Sequence, residues 1–235
     1  MQVAILAGGL GTRLYPLTQD IPKALVPVLG KPFLVHQLEL LRRNGATEIV
    51  MLVGHYAAQI EECLGDGAAL GLKVTYSDEG DLRLGTAGAV KYAESKLADR
   101  FFLLFGDSYL PVDYQAIWND FESAGADAMM TVYRNENAHD TSDIAVEGGY
   151  VTAYQKTPPL PNAIYINYGL MALKRSTLSG MVRGQAESLE AFLKPIIAAH
   201  QLKAHEVDRR FYEIGSPAGL KDFESFLLGN GGNSR

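Results

Sequence analysis

Short apolar runs that alternate with helical patterns constrain the fold of this chain more than any other feature. Residues 3–7, 49–53 and 101–105 are continuous apolar runs, and leucines recur at helical spacing between the first two. Runs of this length are typical of strands buried in a parallel sheet, and their alternation with helices indicates βαβ units. The sequence therefore predicts an α/β fold with a doubly wound, mostly parallel sheet.

The second half of the chain has a different pattern. A hairpin turning at Gly148-Gly149 and a further strand over residues 164–173 are predicted there. No repeat, linker or shift in composition marks a domain boundary. We therefore expect one domain over residues 1–228, with an added β region from about residue 126, followed by a flexible tail at 229–235.

Composition limits the partners of the protein. Of its 235 residues 47% are apolar, which excludes a disordered chain, and the net charge of -6 argues against binding to nucleic acid. The one cysteine, Cys63, cannot form an intramolecular disulfide. Because the N-terminus lacks a signal-peptide pattern and no apolar run approaches a membrane span, we expect a cytoplasmic protein without a membrane partner.

A glycine-rich segment after the first strand carries the strongest functional signal. Gly8, Gly9 and Gly11 allow the backbone to approach a ligand closely and to point N–H groups at an anion. Arg13 can grip phosphate oxygens in a bidentate fork, and Lys23 adds a compact charge. In an open α/β sheet such a loop lies at the carboxyl ends of the strands, so Asp107 should face the same crevice.

Two other phosphate-binding loops do not match. A dinucleotide fingerprint needs a third glycine where Leu14 stands, and a P-loop needs Ser or Thr where Pro32 follows Gly30-Lys31. The five histidines also show no metal-ligand spacing, so we expect no zinc site.

Residues 6–14, Leu-Ala-Gly-Gly-Leu-Gly-Thr-Arg-Leu, followed by Pro22-Lys23, resemble the signature of the sugar-1-phosphate nucleotidyltransferase family. Further segments resemble that family over nearly the whole chain: residues 84–89, 105–107, 154–156, 165–169 and 211–217. The heptose-1-phosphate guanylyltransferases are the branch that looks nearest. The resemblance implies a Rossmann-like nucleotidyltransferase fold, with a nucleotide-binding half to about residue 125 and a sugar-binding half over 126–228.

The resemblance also implies a role for each matching residue. Arg13 and Lys23 would be catalytic, holding the leaving phosphates and the α-phosphate. Asp107 and Glu213 would bind Mg²⁺, the implied cofactor. Lys156, Asn167 and Gly169 would bind the sugar phosphate. The nucleotide would contact a further set: Leu6, Ala7, Gly8, Gly9, Gly11, Thr12, Glu79, Gly85, Thr86 and Gly88.

The implied reaction joins a nucleoside triphosphate to a sugar 1-phosphate. Its nucleophile is already ionised, so positioning and charge neutralisation matter more than acid–base residues. Two positions depart from the family pattern: Glu213 replaces an aspartate, and Gln155 replaces a glutamate. The branch resemblance alone favours GTP and a heptose over dTTP, UTP or CTP with a hexose. The oligomeric state stays open, a homodimer included.

Three other functions remain in view. An NAD(P)-dependent oxidoreductase would need the missing third glycine and an acidic residue after the second strand, which ends Val53-Gly54-His55. A catalytically silent nucleotide sensor is favoured only by Glu213. A GT-A glycosyltransferase would need an Asp-x-Asp motif, but Asp107-Ser108-Tyr109 lacks the second aspartate.

Overall fold

The computed structural model describes residues 1–9, 11–137 and 141–230. The strands are β1 (Gln2–Leu6), β2 (Pro27–Val28), β3 (Lys31–Pro32), β4 (Glu48–Val53), β5 (Lys73–Asp78), β6 (Arg100–Phe105), β7 (Ser108–Tyr109), β8 (Ala128–Arg134), β9 (Ile144–Glu147), β10 (Tyr150–Tyr154), β11 (Tyr165–Lys174), β12 (Leu202–Val207) and β13 (Tyr212–Glu213). The α-helices are α1 (Phe33–Arg43), α2 (Ala57–Leu64), α3 (Gly85–Tyr92), α4 (Tyr114–Ala124), α5 (Leu189–Ala198) and α6 (Pro217–Asn230).

One sheet contains nine of these strands in the order β5-β4-β1-β6-β11-β8-β12-β10-β9. Strands β5, β4, β1 and β6 are parallel, as the apolar runs of the first half predict. Strand β11 then runs antiparallel to both β6 and β8, and β10 runs antiparallel to β12 and β9. The prediction of a mostly parallel sheet is therefore wrong: the sheet is mixed.

The short connection between β9 and β10 accounts for the antiparallel pairing of those two strands. Parallel neighbours need a long crossover, usually a helix, whereas antiparallel strands can be joined by a tight turn. The first half supplies crossover helices, but β9 and β10 are joined directly at Gly148-Gly149. In the second half, β8 and β12 are the parallel pair, and they are separated by three other strands in the chain.

Helices cover both faces of the sheet. Val3 and Ile5 of β1 pack into a core that also takes apolar residues of α1, α2, α4 and α6. Ala4 points to the opposite core, which takes residues of α3 and α5. Because β6 of the first half pairs along its length with β11 of the second, the two halves share one sheet.

The described helices include none that is both long and apolar enough to cross a membrane. Helix α3 begins at Gly85 and ends at Tyr92. The last helix continues to Asn230, two residues into the predicted tail, and residues 231–235 lie outside the described part.

Candidate active site

A cleft of about 450 Å³ opens at the carboxyl ends of β1, β4, β5 and β6. This is the position where open α/β sheets bind ligands. We call it the central cleft, and its lining residues are Leu6, Ala7, Gly8, Gly9, Lys23, Ala24, Leu52, His55, Glu79, Gly80, Asp81, Arg83, Gly85, Thr86, Ala89, Phe105, Gly106 and Asp107.

The glycine loop forms one wall of the central cleft. A side chain at Gly9 would meet no protein atom within 4 Å, so its backbone is open to a ligand. Gly11 has φ +64°, a left-handed conformation that favours glycine, and lies behind the wall against Lys23 and Thr18. The open backbone at Gly9 and the adjacent Lys23 suit an anionic group.

Lys23 and Asp107 form an ion pair at the mouth of the cleft, from the ammonium to Oδ2 of the carboxylate. Their side chains are only 16% and 25% exposed. The other carboxylate oxygen, Oδ1, accepts a hydrogen bond of 3.3 Å from the hydroxyl of Ser108. The Asp107 carboxylate is therefore paired with a cation, the Lys23 ammonium, that also lines the cleft.

A small antiparallel ribbon, formed by β7 and β13, carries the second predicted metal ligand, Glu213. β13 pairs with β7, so that Glu213 lies opposite Ser108, and the Ile214 amide donates to the Asp107 carbonyl at 3.0 Å. Glu213 nevertheless lines a second depression, of about 540 Å³, together with Arg13. The Arg13 guanidinium there lies 3.3 Å from where a Cβ of Gly215 would stand.

Magnesium ions prefer carboxylate and water oxygens and usually keep several waters. Asp107 and Glu213 each supply a carboxylate of this kind, from backbone positions one register step apart across the ribbon. Within the described part of the chain, however, no group of three or more His, Cys, Asp or Glu is placed to hold a metal. A metal here would therefore depend on oxygens from bound phosphate and water.

Glu79 places an unusual acceptor in the central cleft. Its Oε2 atom is buried and accepts no hydrogen bond, although the Leu84 amide donates to the carboxylate. Burial raises the pKa of this carboxyl above its usual 4.5, with Asp78 adding to the rise and the Leu84 bond opposing it. A buried acceptor without a partner is costly, and the Glu79 residue that carries it lines the central cleft.

The predicted sugar-phosphate residues gather at the end of β10 and in β11. The Tyr154 hydroxyl lies beside both Lys156 and Asn167, and burial, more than any neighbour, raises its pKa. Asn167 uses its carbonyl oxygen to accept from the Gly169 amide at 2.9 Å, while its buried Nδ2 makes no hydrogen bond of normal geometry. The Tyr154 hydroxyl therefore links Asn167 to Lys156, which is an exposed residue.

Several predicted residues lie away from the central cleft. Thr12 is exposed on a short 3₁₀ turn beside Arg13. A Cβ on Gly88 would come within 2.6 Å of the Gln185 carbonyl, so close packing of α3 against the segment before α5 already requires glycine there. Thr86 lines the cleft, and its hydroxyl accepts a hydrogen bond from the Leu189 amide at 2.8 Å.

Three polar residues that line the central cleft carry no signal in the sequence motifs. His55, Asp81 and Arg83 reach the cleft from the loops after β4 and β5, whose courses no pattern predicts. His55 could have been predicted from its position just after a buried strand, because residues there face the ligand-binding crevice of such a sheet. Of the remaining histidines, His205 pairs with Asp120, and His139 lies outside the described residues.

Comparison with known proteins gives a consistent picture. A sequence profile described as "Nucleotidyl transferase" matches residues 2–224. D-glycero-alpha-D-manno-heptose 1-phosphate guanylyltransferase of Campylobacter jejuni is 29% identical over 231 residues, covering 98% of this chain and 100% of that protein. UTP–glucose-1-phosphate uridylyltransferase of Synechocystis is 30% identical, and the match covers 90% of this chain but only 58% of that longer protein.

A solved structure resembles the whole fold. HddC from Yersinia pseudotuberculosis, complexed with GMP-PN, superposes with a TM-score of 0.79 at 26% identity. The superposition covers 96% of this chain and 99% of that one. The relatives thus share a reaction type in their names but differ in the nucleotide and the sugar.

Proposed function

We propose, because the chain belongs to the nucleotidyl transferase family, that it transfers a nucleotidyl group from a nucleoside triphosphate to a sugar 1-phosphate. An oxygen of the sugar phosphate attacks the α-phosphorus, the bond between the α- and β-phosphates breaks, and pyrophosphate leaves. The observation that carries the proposal is the Lys23–Asp107 pair beside the open glycine loop. A cation and a carboxylate of the kind that binds Mg²⁺, side by side in the cleft, support the binding of a triphosphate there.

The chemistry requires two anions to approach each other. Lys23 would neutralise the α-phosphate, and the open backbone at Gly9 would approach the phosphates from the other side. Asp107, and Glu213 across the ribbon, would hold Mg²⁺, which neutralises phosphate charge when bound. Lys156, after the end of β10, and Asn167, in β11, would orient the sugar phosphate.

Arg13 requires a movement or a different role. It lines the depression beside Glu213 and not the central cleft. From there it would contact the leaving β- and γ-phosphates if these extend past Asp107 towards the ribbon. Since long arginine side chains reorient at little cost, we keep Arg13 as a catalytic residue in the proposal.

Guanine is the base that we propose, and Glu79 supports it. The Watson–Crick edge of guanine presents two neighbouring donors, N1–H and N2–H, to which a carboxylate is complementary. Uracil and thymine present a single N–H between two carbonyls, which a carboxylate would repel. The full-length similarity to a heptose 1-phosphate guanylyltransferase supports a heptose or a related sugar as the acceptor.

The test is a pyrophosphate-release assay with GTP, UTP, CTP and dTTP against several sugar 1-phosphates, with and without excess EDTA. We expect turnover with GTP and a heptose 1-phosphate, and none after EDTA. Turnover with another base would keep the enzyme class and reject guanine. Full activity in EDTA would reject the metal site, and binding of GTP without turnover in any combination would leave a nucleotide sensor.

A further inference from the structure

Gln37 is a polar residue in an otherwise apolar face of α1. Its neighbours on that face, Leu34, Leu38 and Leu41, are fully buried, and Gln37 itself is 1% exposed. The spacing of these leucines predicts the helix but gives no reason for a glutamine among them. Burying an amide costs free energy unless its polar atoms make hydrogen bonds.

The Gln37 amide nitrogen donates two hydrogen bonds to the backbone around Asp107. One goes to the Phe105 carbonyl at 2.9 Å and the other to the Ser108 carbonyl at 2.6 Å. These two carbonyls bracket Gly106 and Asp107. Drawing both onto a single nitrogen fixes the turn that carries the Asp107 side chain.

The same turn is fixed from two other sides. The Gly106 amide donates to the Leu6 carbonyl of β1 at 2.9 Å, and a Cβ at Gly106 would lie 2.6 Å from that oxygen. The Ile214 amide of β13 holds the Asp107 carbonyl. The hydrogen bonds from Gln37 are the third set of contacts, and they connect the turn to the buried face of α1.

The cost of Gln37 points to a purpose beyond packing. Its carbonyl oxygen, Oε1, is buried and accepts no hydrogen bond, and such an atom typically costs about 1–3 kcal/mol. Methionine has a similar volume and shape and would avoid that cost, since volume-conserving changes in cores are usually well tolerated. The two donated bonds are what methionine could not supply.

We propose that Gln37 is a positioning residue for Asp107. It acts through the backbone of residues 105–108 and so sets where the carboxylate meets both Lys23 and a metal ion. The inference rests on the proposed function, since it assumes that Asp107 binds Mg²⁺. Hydrogen bonds that orient a metal ligand are commonly worth about 10- to 100-fold in metal affinity or activity.

The test compares Gln37→Met with Leu38→Met, a buried, volume-conserving change on the same helix. Mn²⁺ binding to the full chain with a non-hydrolysable GTP analogue is measured by calorimetry or electron paramagnetic resonance, alongside thermal unfolding. We expect Gln37→Met to bind Mn²⁺ about 10- to 100-fold more weakly than Leu38→Met. It should also unfold at a lower temperature, because the Phe105 and Ser108 carbonyls lose a hydrogen-bond donor. The affinity for the analogue without metal should not change.

A second variant, Gln37→Asn, keeps the amide but is one methylene too short to reach both carbonyls, and it should also weaken Mn²⁺ binding. Asp107→Asn separates the two proposals. If Asp107→Asn binds Mn²⁺ like the wild type, the metal assignment fails and the role of Gln37 fails with it. If Asp107→Asn loses Mn²⁺ while both Gln37 variants match Leu38→Met, only the positioning role is wrong.

Discussion

At the scale of single residues, buried polar atoms without partners mark the places where a ligand is expected. Among the described residues, three such atoms belong to side chains that the proposal uses: Oε2 of Glu79, Nδ2 of Asn167 and Oε1 of Gln37. Buried polar groups in native proteins are nearly always satisfied. Glu79 lines the central cleft and Asn167 lies beside the Tyr154 hydroxyl. The unpaired oxygen of Gln37 is explained by the two hydrogen bonds that the nitrogen of the same amide donates.

Glu79→Gln should weaken selection of the base. An amide replaces one of two acceptors with a donor, which then faces an N–H of guanine. We expect kcat/KM for GTP to fall by about 10- to 100-fold, the equivalent of about 1–3 kcal/mol for a good bidentate base contact. The value for UTP or dTTP should hold or rise. The control is Glu62→Gln, at an exposed position. An equal fall in kcat/KM for all four nucleotides would show that Glu79 does not select the base.

The pKa of Glu79 adds a dependence on pH. Burial raises it above 4.5, so ionising this group destabilises the folded protein as the pH rises through the shifted pKa. Only the ionised form offers guanine two acceptors. The KM for GTP should therefore fall as the pH rises through that range, while the thermal stability of Glu79→Gln relative to wild type should increase. A GTP profile that is unchanged in Glu79→Gln would contradict the assignment.

Lys23→Ala should have opposite effects on rate and on metal binding by the free protein. Loss of a charge-assisted phosphate contact in a desolvated site costs about 2–4 kcal/mol, or about 30- to 1000-fold in kcat/KM. The same change frees the Asp107 carboxylate, so Mn²⁺ should bind more tightly without nucleotide. Lys31→Ala, which breaks the ion pair with Glu39 outside the cleft, is the matched control. Unchanged Mn²⁺ affinity would show that the ion pair does not compete with the metal.

At the scale of elements, the β7–β13 ribbon decides whether Glu213 can work with Asp107. The ribbon is two residues long on each strand, and α6 holds it through aromatic contacts. Tyr212 stacks on Phe226 with ring centroids 4.2 Å apart, and Tyr109 contacts Phe223 at 4.7 Å. Because Phe223 is fully buried, the last helix anchors the strand that carries Glu213.

Glu213→Gln should raise the Mg²⁺ concentration for half-maximal rate and lower kcat, with little effect on folding. The change keeps shape and removes only the charge that a metal requires. Glu213→Asp should stay active, since an aspartate carboxylate can bind through a small shift or one water. Glu224→Gln on α6 serves as the control. A wild-type Mg²⁺ dependence in Glu213→Gln would make the residue structural and leave Asp107 with phosphate and water oxygens alone.

At the scale of the whole molecule, the two halves should unfold together. They share a sheet through β6 and β11, and both cores draw on strands of each half. Neither half can lose its strands without exposing the other.

We therefore expect one thermal transition, measured by calorimetry and circular dichroism. GTP with Mg²⁺ at about 100 times its Kd should stabilise the fold by about 2.7 kcal/mol, or roughly 5–10 °C for a chain of this size. GTP with EDTA is the control and should stabilise less. Two transitions, of which only one responds to GTP, would show that the halves are independent.

The sequence by itself determined the elements whose residues carry a local pattern. The apolar runs of β1, β4 and β6 predicted three buried parallel strands, because continuous burial on both faces is typical of parallel sheets. The Gly-Gly hairpin of β9 and β10 was also predicted correctly. The order of residues 6–14 and Lys23 pointed to a phosphate loop, since glycine and cation chemistry is local.

Only the tertiary structure decided how these pieces meet. The direction of β11 against β6 depends on long-range pairing, for which a single strand has no signature. The separation of Arg13 from the central cleft depends on a 3₁₀ turn and a two-residue ribbon, both too short for any periodicity. Gln37 reaches its partners 68 and 71 positions away. Contacts at such separations are set by tertiary packing. Patterns among neighbouring residues in the sequence carry no information about that packing.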